Sequence, residues 1–260
     1  MLKLKILISN DDGIHAPGIH NLAEKLAEKH DVFVVAPESE KSATAAAITL
    51  HSPLHFKEYV PAHPTKVRKF YYVNGTPADC VKIGVKIILE SQSIKPDMVV
   101  SGINHGPNIG LDIRYSGTVA AAYEGLFMNI PSVAVSIASY MPDPEYSTAS
   151  AFIADYIEAL RQKCVEGKNR FLLNVNVPSK KAVEIKGHKI TRINNFRYDD
   201  SYQKLNAPTS SSFYWLSGKR ALIETDENTD YVCIENGYIS ITPLQIDQTD
   251  YDALKSFKTL

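Results

Sequence analysis

Leu4 to Ser9 is a short apolar run that stops at Asn10-Asp11-Asp12-Gly13, the pattern of a buried strand ended by a turn. Ile19, Leu22, Ala23, Leu26 and Ala27 follow at the spacing of one helical stripe, with Glu24, Lys25, Glu28 and Lys29 on the wet side. Asp31-Val32-Phe33-Val34-Val35-Ala36 is a second buried strand, stopped by Pro37. Strand, helix and strand in so short a stretch form a βαβ unit, which implies parallel strands and a right-handed crossover.

The alternation continues. Tyr71 to Asn74 reads as a strand. Thr76-Pro77-Ala78-Asp79 is a helix start, with a capping threonine, a proline at the first position and an acid in the first turn. Met98-Val99-Val100 is another buried strand, and Ser116-Gly117-Thr118 opens a helix carrying Tyr123, Leu126 and Phe127. Ser132 to Ser136 is a strand, Ala149 to Leu160 an amphipathic helix, and Phe171 to Val177 a closing strand. The expected fold class is α/β: a Rossmann-like three-layer αβα core with a mostly parallel sheet over residues 1–185.

From residue 186 to 260 the helical period fades, and a β-rich C-terminal extension is expected. Tyr238 to Thr242 alternates as a half-buried strand should. Tyr198, Tyr202, Phe213, Tyr214 and Trp215 surround Pro208 and a serine run. Aromatics on an extended segment need a surface to cover. That surface is either the chain's own core or another protomer.

Composition narrows the function classes. Lys+Arg number 28 against 29 Asp+Glu, so the broad basic field of a nucleic-acid or anionic-membrane binder is missing. A hydrophobic share of 44% excludes a disordered chain. The three cysteines, Cys80, Cys164 and Cys233, form no CxxC pair, which argues against a disulfide framework and a cysteine zinc site and for a reducing compartment. Met1 to Ile6 enters a strand without a signal-peptide layout, and no apolar run reaches the ~20 residues of a membrane helix. A soluble cytoplasmic protein is expected.

In an open parallel sheet ligands bind beyond the carboxyl ends of the strands. Three loops there carry chemistry. Asn10-Asp11-Asp12-Gly13 places two acids side by side, an arrangement a bound cation relieves, although a plain turn accounts for the same composition. It has no GxGxxG and no P-loop. Pro37 to Thr44 offers small hydroxyls, including Ser42. Ser101-Gly102-Ile103-Asn104-His105-Gly106-Pro107-Asn108-Ile109-Gly110 runs on to Tyr115-Ser116-Gly117-Thr118, a helix start that is either simply capped by Ser116 or an anion seat. Together these are hard oxygen donors, which suit Mg²⁺ or Mn²⁺ better than zinc or copper. A hard ion beside a phosphate seat is the equipment of phosphoryl chemistry.

Several motifs occur in one order: Asn10-Asp11-Asp12-Gly13; Val35-Ala36-Pro37 with Ser42 downstream; Gly75-Thr76-Pro77-Ala78-Asp79-Cys80; Ser101 to Asn108; and Tyr115-Ser116-Gly117-Thr118-Val119-Ala120-Ala121. With them the chain resembles the SurE family of metal-dependent 5′-nucleotidases, closely over about the first 140 residues and more loosely through Gly237 to Leu244. The resemblance implies one divalent ion per subunit, Mg²⁺ or Mn²⁺, held by Asp11, Asp12, Ser42 and Asn104. It implies hydrolysis of nucleoside 5′-monophosphates, with 3′-monophosphates and short polyphosphate as further substrates, by a metal-activated water. Asp11, Asp12, Asn104 and Ser116 would be catalytic. Asn10, Asn108, Ser116, Gly117 and Thr118 would contact substrate. It also implies a homodimer or homotetramer built through the C-terminal segment. Ala45-Ala46-Ala47 departs from the family pattern, which often has Gly or polar residues there.

Other residues have plainer readings. His105 is a neighbour of Asn104 and not an expected catalyst, and His15, His51 and His55 lack the spacing of metal ligands. Asp79 is expected to serve the helix start, Cys80 to lie in the core, and Asp112 to lie in a substrate loop. The acids between Glu224 and Asp230 read as a solvated turn. An aspartyl-phosphate route uses Asp-x-Asp, whereas these acids are adjacent. A non-hydrolysing nucleotide regulator and a hydrolase of another ester are the rival functions.

Overall fold

In a computed structural model of the chain, residues 3–165, 170–206, 212–221 and 224–257 are described. The opening unit has the expected form. Lys5–Ser9 (β1) and Asp31–Pro37 (β2) are parallel, pairing Ile6 with Val32 and Ile8 with Val34. Between them Pro17–Ala27 (α1) buries Ile19, Leu22, Ala23, Leu26 and Ala27. Its proline stands in the first turn, where a missing N–H costs nothing and the fixed φ suits a helix.

Phe56–Tyr59 (β3), Lys69–Val73 (β4), Pro77–Ile83 (α2), Met98–His105 (β5), Gly117–Phe127 (α3), Ser132–Ala138 (β6), Tyr146–Val165 (α4) and Leu172–Pro178 (β7) follow. The C-terminal part adds His188–Ile190 (β8), Arg197–Leu205 (β9), Phe213–Ala221 (β10), Asp230–Glu235 (α5), Ile239–Leu244 (β11) and Tyr251–Phe257 (α6). Nine strands form one sheet in the order β3-β4-β2-β1-β5-β6-β7-β11-β8. From β4 to β7 every pairing is parallel, β3 and β11 join antiparallel, and β8 runs parallel to β11.

The chain starts mid-sheet and winds outward both ways, through β2 and β4 on one side and β5, β6 and β7 on the other. Strand order therefore reverses between β1 and β5. The loops leaving those two strands diverge at the carboxyl edge, the place where sheets of this kind bind ligands. Ser9 and Ser101 pair across this point.

Both faces are covered, which is why the central strands are apolar at nearly every position. Ile6, Ile8, Val32, Val34, Met98 and Val100 pack with α1 and α4. Leu7, Phe33, Val35 and Val99 pack on the other face with Cys80 and Val81 of α2 and Ala121 of α3. The three-layer αβα core is thus set by the strands' period of two.

The change of character at residues 185 and 186 is not a break in the sheet, because β8 and β11 belong to it. Only β9 and β10 stand apart, as a two-stranded antiparallel ribbon. Tyr202, Phe213, Tyr214, Trp215 and Leu216 on that ribbon are exposed, so they do not cover the chain's own core. Pro208, Ser210 and Ser211 and the side chain of Tyr198 lie outside the described residues. Among the described residues no helix is long and apolar enough to cross a membrane.

Asp79 serves its helix start, as expected, and also ties down a loop. It completes a capping box with Thr76 and accepts from the Thr49 N–H at 3.1 Å and the Thr49 hydroxyl at 2.6 Å. Burial raises its pKa, but hydrogen bonds from Thr49 and Thr76 outweigh burial and hold it below its usual 3.8. Asp79→Ala is expected to lower the unfolding free energy at neutral pH by about 1–3 kcal/mol in urea titrations. A carboxylate with a lowered folded-state pKa contributes stability above its unfolded value and loses it as pH falls through the folded one. The gap between wild type and variant should therefore shrink below about pH 4.

Candidate active site

The turn after β1 is locked by its own asparagine. The Asn10 amide is fully buried; its Nδ2 donates to the Gly13 carbonyl at 2.9 Å and its Oδ1 accepts from the Gly13 N–H at 3.2 Å. Asn10 thereby fixes the turn that carries Asp11 and Asp12. Gly13 has a φ of +94°, and a Cβ there would stand 3.1 Å from the Ser39 carbonyl carbon. The loop after β2 thus packs directly on the turn, and the Lys41 N–H donates to the Asp11 carbonyl at 2.7 Å.

Asp11 faces the start of α3. Its carboxylate accepts from the Thr118 hydroxyl, and the N–H groups of Gly117 and Thr118 also favour its charge. A Cβ at Gly117 would come within 2.9 Å of Asp11 Oδ2, so only glycine permits this approach. Burial nonetheless wins and raises the Asp11 pKa. Asp12 is half-buried and accepts from the His105 backbone N–H at 3.2 Å. Burial first, then the charges of Asp11 and Glu40, push its pKa up to about 7.

Asn104 and His105 end β5. The pairing with β6 slips between Ser101 and Asn104, an irregularity that re-aims the strand end. Asn104 Nδ2 donates to the Gly106 carbonyl at 2.7 Å, which leaves Oδ1 as the amide's acceptor. The His105 ring bonds the Met141 carbonyl at 2.7 Å while its backbone N–H serves Asp12. At the far end of the same loop Ser116 caps α3, accepting from the Val119 N–H at 3.1 Å. The capping reading of Ser116 is the one its hydrogen bond fits.

Ser42 is exposed and donates to Glu40 at 2.6 Å, so its link to the acids runs through Glu40, whose charge acts on Asp12. Asn108 is buried beneath this edge. Its Nδ2 donates to Ser136 at 2.8 Å, and its carbonyl accepts from Asn174 and Asn176 at 2.8 and 2.9 Å. His15 packs edge-on against Tyr59.

Three supporting residues escape a reading of the sequence. Asn174 and Asn176 stand two apart on β7, so both project to one face of an otherwise apolar strand; that spacing was their only signal. Asp230 corrects an expectation. It is not in a solvated turn but wholly buried, accepting from Gly110, Asn194 and Tyr231 N–H groups at 2.9, 2.9 and 2.8 Å. Three converging backbone donors make burial of that carboxylate tolerable. Together Asn174, Asn176 and Asp230 pin the middle of the loop whose two ends serve Asp12 and Asp11.

The donor set fits a hard divalent cation. Among the described residues no three His, Cys, Asp or Glu side chains cluster as a metal site, so any ion here relies on two acids with neutral oxygens. Asp11 and Asp12 supply crowded carboxylate charge, Asn104 a free amide oxygen, and Ser42 a hydroxyl on the adjoining loop.

Comparison with known proteins gives a consistent picture. Residues 6–200 match the family model described as Survival protein SurE. The chain is 44% identical over 257 residues to a 5′-nucleotidase SurE of Kosmotoga olearia, covering 98% of this chain and 97% of that protein. It is 41% identical over 255 residues to the protein of the same name from Natranaerobius thermophilus, covering 97% of each. The crystal structure of the Sure protein from Aquifex aeolicus superposes with a TM-score of 0.82 at 38% identity, covering 98% of both chains.

The raised Asp12 pKa has a sign that calorimetry can read. Between the unfolded value of 3.8 and the folded value of about 7, the native protein holds a proton that the unfolded chain has lost. With EDTA present, stability should therefore fall as pH rises through that window, by up to about 1.4 kcal/mol per pH unit for one proton. Asp12→Asn should flatten this slope in thermal melts taken from pH 4 to 8.

Proposed function

The chain belongs to the SurE family, and from that premise we propose that it is a 5′-nucleotidase hydrolysing nucleoside monophosphates to nucleoside and phosphate. The observation that carries this reading is the juxtaposition of Asp11 and Asp12, at the strand-order reversal, with the N-terminus of α3. Such a helix start offers backbone N–H groups and positive potential to a phosphate dianion.

In this reading Asp11, Asp12, Asn104 Oδ1 and Ser42 Oγ hold one Mg²⁺ or Mn²⁺ per subunit. When bound, the ion supplies Lewis-acid polarisation of a phosphoryl oxygen and a more acidic water for in-line attack. Asn10 holds the acids in place through Gly13. The His105 N–H positions Asp12, and the Thr118 hydroxyl positions Asp11. The N–H groups of Gly117 and Thr118, which serve Asp11 in the structure, are the donors a phosphate oxygen would share. Ser116 preserves that helix start by capping it, and Asn108 braces the loop behind. These groups act on phosphate and not on sugar, which supports 3′-monophosphates and short polyphosphate as further substrates.

The family reading extends to assembly and location. A homodimer or homotetramer through the C-terminal segment is supported by the exposed aromatics of the β9–β10 ribbon. The three buried free thiols are consistent with a reducing cytoplasm.

Release of phosphate from a nucleoside 5′-monophosphate, a 3′-monophosphate and tripolyphosphate, each with Mg²⁺ or Mn²⁺, tests the activity. Asp11→Ala is expected to reduce kcat/KM about 10²–10³-fold with an unchanged circular dichroism spectrum. EDTA should abolish wild-type turnover. Full activity of Asp11→Ala in EDTA would refute both the site and its metal. In sedimentation velocity, the double variant Tyr202→Ser, Trp215→Ser should shift the protein to a smaller species than wild type at equal concentration.

A further inference from the structure

Beyond Ala138, at the carboxyl edge of β6, the chain turns through Ser139, Tyr140 and Met141 over the loop that follows β5. Two hydrogen bonds fix this turn. The Met141 carbonyl meets His105 Nε2 at 2.7 Å, and the Met141 N–H donates to Ser139 Oγ at 3.1 Å. The Gly106 N–H donates to the Ile137 carbonyl at 3.1 Å and ties the two segments together. On this braced turn Tyr140 is 72% exposed and Met141 70%.

Tyr140 is not an isolated surface aromatic. A Cβ built on Gly106 would lie 3.6 Å from Tyr140 Cε1 and 3.9 Å from Asn104 Nδ2. The edge of the phenol ring and the Asn104 amide therefore border one space. Gly106, with a φ of +116° and no side chain, keeps that space open. The acids are close by, because the His105 N–H, next to Asn104 in the chain, bonds Asp12. A large exposed aromatic surface thus stands beside the loop that ends at the acids. A phosphate gains nothing from that surface, whereas a flat heteroaromatic ring joined to the phosphate through a sugar does.

We propose that Tyr140, flanked by Met141, is the platform on which the nucleobase of the substrate stacks. The inference rests on the nucleotidase reading and deepens it: the phosphate is held at Asp11, Asp12 and Asn104, and the base lies across Tyr140. Stacking uses the π-face that every base has and ignores the base edge. The platform therefore selects nucleotides over simple phosphate esters while discriminating weakly among bases.

Steady-state kinetics of Tyr140→Ala, Tyr140→Phe and Tyr115→Ala test this, with a purine nucleoside 5′-monophosphate and ribose 5-phosphate as substrates in saturating Mn²⁺. Tyr115 is the comparator because it is also exposed, at the other end of the same loop. Tyr140→Ala should raise KM for the nucleotide about 5- to 100-fold, the span of losing one base stack. Its kcat should stay within about twofold, and its KM for ribose 5-phosphate should not move. Tyr140→Phe, which keeps the ring, should restore the nucleotide KM. An unchanged nucleotide KM in Tyr140→Ala overturns the proposal. So does an equal rise for ribose 5-phosphate, which would mark a structural role, or the nucleotide effect appearing in Tyr115→Ala instead. A wild type that turns over neither substrate overturns the nucleotidase reading itself, a result distinct from these.

Discussion

The reversal of strand order between β1 and β5 is the constraint from which the rest of the molecule follows. A parallel sheet wound outward from its middle has one place where successive crossovers depart in opposite directions. There alone the strand ends are not roofed by their own connections. Asp11 and Asp12 leave β1 at that place, and Asn104 and His105 end β5 beside them. The bond from the His105 N–H to the Asp12 carboxylate spans the reversal and joins the two halves of the site.

That position concentrates negative charge, and the fold answers it with backbone more than with cations. Asp11 takes donors from α3, Asp12 takes the His105 N–H, and Asp230 takes three N–H groups from loop and helix. Burial still raises all three acids. Asp230 is met by three backbone N–H groups, whereas Asp12 has the His105 N–H for it and the charges of Asp11 and Glu40 against it. The difference separates a bracing acid from acids suited to an incoming positive charge. A net charge near zero hides this, since one ion and a helix start can bind a phosphate without any surplus of lysine or arginine.

The parts of the fold legible in the sequence are those set by local period. β1, α1 and β2 declare themselves because their apolar residues recur at intervals a single element can satisfy. The site loops declare themselves too, because polar residues follow immediately on apolar strands. Long-range pairing does not. Ile239 to Leu244 alternates visibly, yet nothing in it says that it lies antiparallel against β7 inside the main sheet. The edge strand Phe56–Tyr59 is too short and exposed to leave a pattern. Asp230 looks like one acid among several, because the convergence of three N–H groups on it exists only after folding. Side-chain partners are equally silent: the sequence places Asn10 and Thr118 at the site, but not the bonds to Gly13 and Asp11 that make them positioning groups.

Exposed aromatic surface occurs in two places with different geometry, and the difference bears on what each surface meets. On the β9–β10 ribbon, Tyr202, Phe213, Tyr214 and Trp215 spread exposed over two strands that stand apart from the main sheet. Several exposed aromatics spread along a ribbon are the kind of surface that another protein covers. Tyr140 and Met141 instead form a single step beside the loop after β5, braced by His105 and close to the Asn104 amide. A step of one ring's breadth matches one heteroaromatic ring. The ribbon thus suits the proposed assembly and the Tyr140 turn the proposed base contact.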